Sequence, residues 1–188
     1  MDFDRAVKER KSVRSFKPKG VKFGDILEAI DAALQGPFAG NLNNLKFVII
    51  EDENTIRDMA KHTNQAWINE APALIIVCSD DTHLGNQYFE RGKDFSRQQA
   101  GAAISTILLK LADLGIGSCW VGSFSYEIIK EKLQIPMHIH IEAIIPVGYE
   151  KGAAKKPRKH ALDSVLRWEN WNNYRRPSLF QEPPMHKK

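Results

Sequence analysis

The sequence predicts an α+β fold in which helices cover both faces of one central sheet. Short apolar runs, typical of strands, alternate with longer segments of helical periodicity. One run, ALIIVC at 73–78, is apolar on both faces, as expected of a central strand. The most regular helical periodicity, at 94–114, predicts one long helix. This order of elements favours a helix-covered sheet over a β-sandwich.

In the first half of the chain, apolar residues at helical spacing indicate three helices. In the second of these, Ile26, Leu27 and Ile30 form a stripe, and Gly-Pro at 36–37 ends it. Pro72 ends the third. Two short apolar runs between turn signals are predicted strands. The predicted elements are helices 2–11, 25–35 and 54–70, and strands 45–50 and 73–78.

The second half begins with the long helix, which Gly115 is predicted to end as a left-handed cap. The small residues of QQAGAAIS within this helix suit the close approach of a neighbouring backbone. Ser125 is predicted to cap a further helix. The predicted elements are helices 94–114 and 125–133 and strands 116–122 and 138–149, followed by a basic linker at 150–160.

Composition limits the function classes. The chain has 188 residues, 43% apolar and 9% aromatic, which fits a single soluble domain. Its 27 Lys and Arg exceed its 23 Asp and Glu by four, a charge that suits a phosphorylated small ligand and does not demand nucleic acid. No apolar run approaches the roughly 18 residues of a membrane helix. The charged N-terminus is unlike a secretory signal, so we expect a cytoplasmic protein.

The two cysteines and the common nucleotide motifs give no site. Cys78 and Cys119 lie in apolar runs without zinc or redox spacing, and we expect both to be buried. GIGSCWVG begins as G-x-G, but Trp120 stands where a third glycine belongs, and the segment follows a helix instead of a strand. The sequence carries no Walker A motif.

The segment ERKSVRSFKP, residues 9–18, predicts an anion site. In an extended chain, Arg10, Ser12 and Arg14 lie on one side. Two guanidinium groups and a hydroxyl can bind a phosphate through charge-assisted hydrogen bonds. A second basic cluster follows the last strand: Lys155, Lys156, Arg158 and Lys159. The two clusters form one phosphate clamp if they meet in space; the alternative is that both are solvated surface charge.

Two loops and one strand are further candidates. GPFAGNLNN, at 36–44, offers backbone N–H groups and the Asn41 amide to a flat polar heterocycle, unless it is a plain connection. GSCWVGS can expose the N–H groups of Gly122 and Ser123, unless it is an ordinary buried strand. In HIHIE, the side chains of His138, His140 and Glu142 share a strand face. We interpret that face as polar surface and not as a metal site, because a lone strand gives ligands poor convergence.

Four segments together resemble the nitroreductase family of FMN-dependent oxidoreductases. ERKSVRSF, GPFAGNLNNLKFVII, LADLGIGSCWVGSF and IIPVGYEK…KKPRK follow the order of the family's motifs and cover about residues 3–160. The resemblance implies a central mixed or antiparallel sheet flanked by helices, with the long helix at a dimer interface.

The resemblance also implies an FMN site, with no catalytic side chain and no metal, because the flavin carries the chemistry. Arg10, Lys11, Ser12 and Arg14 would bind the ribityl chain and phosphate, and Gly122 and Ser123 would face the flavin edge. The other implied cofactor contacts are Lys156 and Arg158 at the phosphate, Pro37, Phe38, Ala39 and Asn41 from the partner subunit, and Asn64 or Gln65. Family loops often carry Ser or Thr where this chain has Phe38, and Gln-Pro-Trp where it has Asn43, Asn44 and Leu45, so the substrate class stays open.

By the same resemblance we expect a homodimer with FMN at the subunit interface. Residues 1–167 would form the single domain, and 168–188, with Trp168, Trp171 and Phe180, would form an arm on the partner. Hydride would pass from NAD(P)H through FMN to a nitro compound, quinone or similar acceptor by a ping-pong mechanism. The alternatives are a dehalogenase or cofactor-synthesis enzyme of the same family, or a cofactor-free basic protein that binds nucleic acid or serves as a scaffold.

Overall fold

The computed structural model describes residues 2–152 and 159–175. By its internal contacts the chain divides into a main unit, residues 1–154, and a smaller unit, residues 155–188. Across the described residues, no helix is long and apolar enough to cross a membrane.

The described part of the main unit contains four strands: β1 Leu45–Ile50, β2 Ala73–Asp80, β3 Gly117–Ser118 and β4 Ile139–Gly148. They form an antiparallel sheet in the order β1-β2-β4-β3. The central strand β2 is apolar on both faces, and its residues are buried except the last, as predicted from ALIIVC.

The helices pack on both faces of this sheet, and two separate core clusters show it. Ile75 and Val77 of β2 pack with α2 (Phe23–Leu34) and α5 (Arg91–Asp113). Leu74 and Ile76 point to the opposite face, toward α3 (Glu53–Lys61) and α6 (Tyr126–Lys132). This alternation follows from the two-residue period of a strand. The α+β class is therefore confirmed. The other α-helices of the described main unit are α1 Phe3–Glu9 and α4 Thr82–Tyr88.

The prediction of one helix over 54–70 is wrong. Helix α3 ends at Lys61, and Asn64 adopts a left-handed backbone with φ of 54° that no helix continues through. A 3₁₀ turn, Ala66–Glu70, follows. The break is held in place because the Ser125 N–H donates to the His62 carbonyl at 2.7 Å.

Two smaller predictions need correction, and one helix was missed. The strand expected over 116–122 is limited to Gly117–Ser118 and one isolated bridge between Val121 and Ile144. Helix α4 was not predicted. Ser125 stands at the N-cap of α6, but its side chain makes no capping hydrogen bond. The predicted cap at Gly115 is confirmed by its φ of 75°.

The described part of the smaller unit, residues 159–175, contains a 3₁₀ turn at Leu162–Ser164. Beyond it, the Arg167 guanidinium lies over the rings of Tyr174 and Trp171, at 4.1 and 5.5 Å from their centroids. Trp171 and Tyr174 are thus both organised around one arginine.

Candidate cofactor site

The basic segment leaves α1 as an extended chain and lies beside β3. Ser12 forms a parallel bridge with Ser118, and the Val13 N–H donates to the Ser118 carbonyl at 3.0 Å. Val13 is buried in the core. Gly117 permits this approach, since a Cβ there would lie 2.9 Å from the Val13 side chain. Because neighbouring side chains of an extended chain alternate, Ser12 and Arg14 are directed away from the side that Val13 occupies.

Ser12 and Arg14 lie within hydrogen-bonding reach of the Cys119 thiol, and the Arg10 charge lies nearby. Burial raises the pKa of that thiol, and the Arg14 charge, the Ser12 hydroxyl, the Arg10 charge and a hydrogen bond with Arg14 all oppose the rise. Among residues 2–152 and 159–175, neither Arg10 nor Arg14 forms an ion pair with a carboxylate. The structure therefore brings together two guanidinium groups, without an acidic partner there, and one hydroxyl.

Lys11 has a different position in this segment. Its Nζ lies 2.9 Å from Glu150 Oε2, just beyond β4. This ion pair connects the basic segment to the end of the central sheet. Both side chains are about a quarter exposed, so the pair contributes modestly to stability.

Glu70 holds the far end of the basic segment. Its carboxylate accepts hydrogen bonds from the Phe16 N–H at 3.1 Å and from the Ser15 hydroxyl at 2.9 Å. These two donors, the backbone N–H first, lower the pKa of Glu70. On the other side, the Lys17 N–H donates to the Tyr149 carbonyl at 2.8 Å. The segment is thus fixed on both sides immediately after Arg14.

We expect the stabilising effect of Glu70 to depend on pH. Because its pKa is lowered in the folded state, the contribution is fully present above the ordinary Glu pKa and is lost as pH falls through the lowered value. Urea unfolding of the wild type and of Glu70→Gln should therefore differ more at pH 7 than near pH 3. Equal differences at both pH values would contradict this assignment.

Gly122 and Ser123 follow Val121, where the chain leaves the sheet, and both are exposed. No protein acceptor within the described residues takes the N–H of either one. The turn at 62–65 lies next to this loop through the hydrogen bond from Ser125 to His62, and Asn64 is exposed on that turn. Backbone donors and one amide side chain are thus available along this edge.

The 36–44 loop lies against α5. Gly40 and Asn41 both adopt left-handed backbones, with φ of 57° and 59°. A Cβ at Gly40 would lie 2.6 Å from the Tyr88 hydroxyl, so that position needs glycine for space as well as for conformation. Pro37, Phe38 and Ala39 line a cleft of about 340 Å³, whose other walls are Phe95, Gln98, Gln99 and Ala102 of α5.

The remaining candidate residues form other contacts. Glu142 pairs with Arg97, and His140 Nδ1 lies 2.8 Å from the Tyr126 hydroxyl. Among the described residues, no group of three or more His, Cys, Asp or Glu side chains is arranged to hold a metal ion. Cys78 and Cys119 are both buried and unpaired, as the sequence predicts. Lys156 and Arg158, the predicted second phosphate contacts, lie outside the described residues.

Sequence reasoning missed two residues near these groups. Cys119 was interpreted only as a buried hydrophobic residue, although it lies against the basic side chains. Gln99 was included in a small-residue stretch, although it bonds the 36–44 loop. The available signal was the position of Gln99, which shares the apolar helical face of Ala103 and Ile107 at four-residue spacing.

Solved structures and a family model identify the class. The fold is that of the nitroreductases: a Clostridium difficile protein named as an FMN-dependent nitroreductase superposes with a TM-score of 0.76 at 23% identity, over 89% of this chain and 99% of that one. The Nitroreductase family model matches residues 7–88 and 60–149. This chain belongs to the nitroreductase family.

Two curated relatives are similar over most of their length. A protein of Methanothermobacter thermautotrophicus, provisionally named NADH dehydrogenase/NAD(P)H nitroreductase, is 30% identical over 154 residues, 79% of this chain and 78% of the relative. A protein of Thermotoga neapolitana named iodotyrosine deiodinase is 25% identical over 182 residues, 82% of this chain and 92% of that one.

Proposed function

We propose that the protein is an FMN-dependent oxidoreductase that takes hydride from NAD(P)H and passes it to a nitro compound, quinone or similar acceptor. The observation that carries this proposal is the convergence of Arg10, Ser12 and Arg14 without a carboxylate partner among the described residues. Clustered arginines without acidic partners are typical of anion sites, because guanidinium groups pair with phosphate oxygens in a bidentate manner. The name of the M. thermautotrophicus relative supports NAD(P)H as the donor.

The residues present fit a phosphorylated flavin. Arg10, Ser12 and Arg14 would hold the phosphate, and the exposed N–H groups of Gly122 and Ser123 would donate to a polar ring edge. FMN, when bound there, supplies the centre that accepts and returns hydride. Fixed N–H donors favour negative charge that develops on a neighbouring atom. The protein's contribution is therefore orientation and electrostatics, and Cys119, buried with a raised pKa, is not assigned as a nucleophile.

We also propose that two copies assemble around the long helix. On α5 the exposed residues Gln98, Ala102 and Ser105 recur at helical spacing, and small side chains allow a second helix to approach closely. Phe3 and Phe23, 73% and 50% exposed in one chain, are large apolar side chains that a partner would cover. In this assembly the loop of Pro37–Asn41 would reach the partner's flavin, and residues 168–188 would serve as an arm. Sedimentation of the purified protein tests the dimer.

The function is tested with the purified protein. We expect it to be yellow, to release FMN on heating, and to oxidise NADH or NADPH with a nitroaromatic or quinone in ping-pong kinetics, seen as parallel double-reciprocal lines. Colourless protein that added FMN does not convert to a flavoprotein would overturn the proposal. Strongly salt-dependent RNA binding by such protein would favour the cofactor-free alternative.

Reductive dehalogenation is the second candidate, because the T. neapolitana relative is named for it. A halogenated tyrosine in the same acceptor panel separates the two. Faster turnover of the halogenated tyrosine than of nitro compounds and quinones would favour the dehalogenase.

A further inference from the structure

The Gln99 side chain is almost completely buried and contacts three points of the 36–44 loop. Its Oε1 accepts from the Ala39 N–H at 3.1 Å, and its Nε2 donates to the Leu42 carbonyl at 3.1 Å and to Asn44 Oδ1 at 2.5 Å. Gln99 is 5% exposed and Asn44 is 6% exposed. Because water does not reach these groups, leaving any of them without a hydrogen-bond partner would cost free energy of folding.

The hydrogen bonds continue from Asn44 to a charged group. Asn44 Nδ2 donates to Ser96 Oγ at 2.7 Å, and the fully buried Ser96 hydroxyl donates to Asp81 Oδ1 at 2.6 Å. Asp81 Oδ2 lies 2.7 Å from Arg97 Nη2. This series of hydrogen bonds therefore runs from Ala39 through Gln99, Asn44 and Ser96 to Asp81.

The donor-to-acceptor direction of this hydrogen-bond series is fixed at both ends. An ionised carboxylate only accepts hydrogen bonds, so Ser96 donates to Asp81 and must accept from Asn44. A backbone N–H only donates, so Gln99 turns its oxygen to Ala39 and its NH₂ to the Leu42 carbonyl. Reversal of either amide would place donor against donor or acceptor against acceptor. Each member thus holds its neighbour in one orientation.

We propose that Gln99 is a positioning residue for the proposed flavin reaction, because it holds the 36–44 loop that meets the cofactor. The hydrogen bonds that begin at Asp81 keep the Gln99 amide in the orientation that this requires. This inference rests on the proposed function only in naming what the loop contacts. The backbone around Gly40 and Asn41 is left-handed, a conformation that Asn tolerates at some cost, so it needs support from outside the loop. The amide of Gln99 supplies that support on both sides of the left-handed pair.

The first test measures hydrogen exchange of the Ala39 amide by NMR in flavin-free, full-length protein. In Gln99→Leu we expect exchange at Ala39 about tenfold faster than in the wild type, because its acceptor is lost. Lys130→Met is the matched control: it removes another buried hydrogen bond, 2.6 Å from Lys130 Nζ to the Met137 carbonyl. It should leave local exchange at Ala39 unchanged. Unchanged exchange in Gln99→Leu, or equal acceleration in both variants, would overturn the proposal.

Ser96→Ala is a milder variant for use if Gln99→Leu does not fold. It breaks the connection between Asp81 and Asn44 with little change in volume, and exchange at Ala39 should rise about threefold. No change there would overturn the role given to Asp81.

Gln99→Glu gives a signature that loss of packing does not. When neutral, the introduced carboxyl can accept from Ala39 and donate to one oxygen; when ionised, it places a charge against the Leu42 and Asn44 oxygens. Its pKa should be raised, so protection of Ala39 should be near wild type at low pH and fall as pH rises past the ordinary Glu pKa. Protection that follows the wild-type pH profile would contradict the proposal.

The second test uses flavin. FMN affinity in Gln99→Leu should fall about tenfold, while the ratio of FMN to riboflavin affinity stays at its wild-type value, because the loop does not contact the phosphate. An unchanged FMN affinity, in a wild type that binds FMN, would show that the loop does not position the cofactor. Wild-type protein that binds no flavin would defeat the proposed function, and the exchange results would still decide whether Gln99 holds the loop.

Discussion

Replacement of both Arg10 and Arg14 by alanine is expected to weaken FMN binding by about a hundredfold or more. A hydrogen bond to a charged group contributes about 1.5–3 kcal/mol, and each tenfold in affinity corresponds to about 1.4 kcal/mol. Both guanidinium groups lie near the Cys119 thiol without a carboxylate partner in the described part of the chain, so their charge is available to a ligand. Fluorescence titration of flavin-stripped protein measures the change.

Arg5 and Arg57 provide the matched control. Both are exposed arginines that pair with a glutamate four residues away, each at 2.8–2.9 Å. The double alanine variant removes the same net charge but should bind FMN as the wild type does. If the two double variants lose affinity equally, long-range charge and not a phosphate site explains the effect.

Gly92→Ala is expected to destabilise the protein by about 1–3 kcal/mol, because it forces extra volume into a closed contact. A Cβ at Gly92 would collide with the Leu84 carbonyl oxygen and would lie 2.5 Å from its carbon and 2.6 Å from the Gly85 nitrogen. These are backbone atoms, so α4 would have to move away from α5. Tyr88 at the end of α4 lies against Gly40, and the 36–44 loop should therefore loosen as well.

Gly85→Ala tests the same junction from the other side. A Cβ at Gly85 meets nothing within 4 Å, so alanine should stabilise α4 by up to about 1 kcal/mol. Urea unfolding should thus show opposite signs for the two substitutions. Destabilisation of similar size in both would mean that α4 tolerates no side chain at this junction, for a reason other than the Gly92 contact.

The sequence predicted correctly those elements whose local apolar pattern matches their environment in the folded protein. Strand β1 begins and ends where its apolar run does, and β2 is central because it is apolar on both faces. Helix α4 was missed because it is short and contains Gly85, so it lacks a strong period. The continuous helix over 54–70 was wrong because the chain turns at Asn64 after α3, next to a hydrogen bond from Ser125 to His62 that joins residues distant in sequence.

The candidate site divides in the same way. Ser12 and Arg14 project to the same side because they are two residues apart in an extended segment, and that spacing can be read from the sequence. The pairing of that chain with Ser118, and the connection of Gln99 to Asn44, join residues far apart in sequence. Such pairings are set by tertiary packing, which no local pattern encodes.

The affinities of FMN and riboflavin, measured side by side in the wild type and in the Arg10→Ala, Arg14→Ala variant, test the phosphate assignment most directly. The two ligands differ only by the phosphate. We predict that the wild type prefers FMN by about a hundredfold or more and that the double variant binds the two almost equally. A variant that keeps the wild-type preference, or a wild type without one, would show that these arginines do not hold a flavin phosphate.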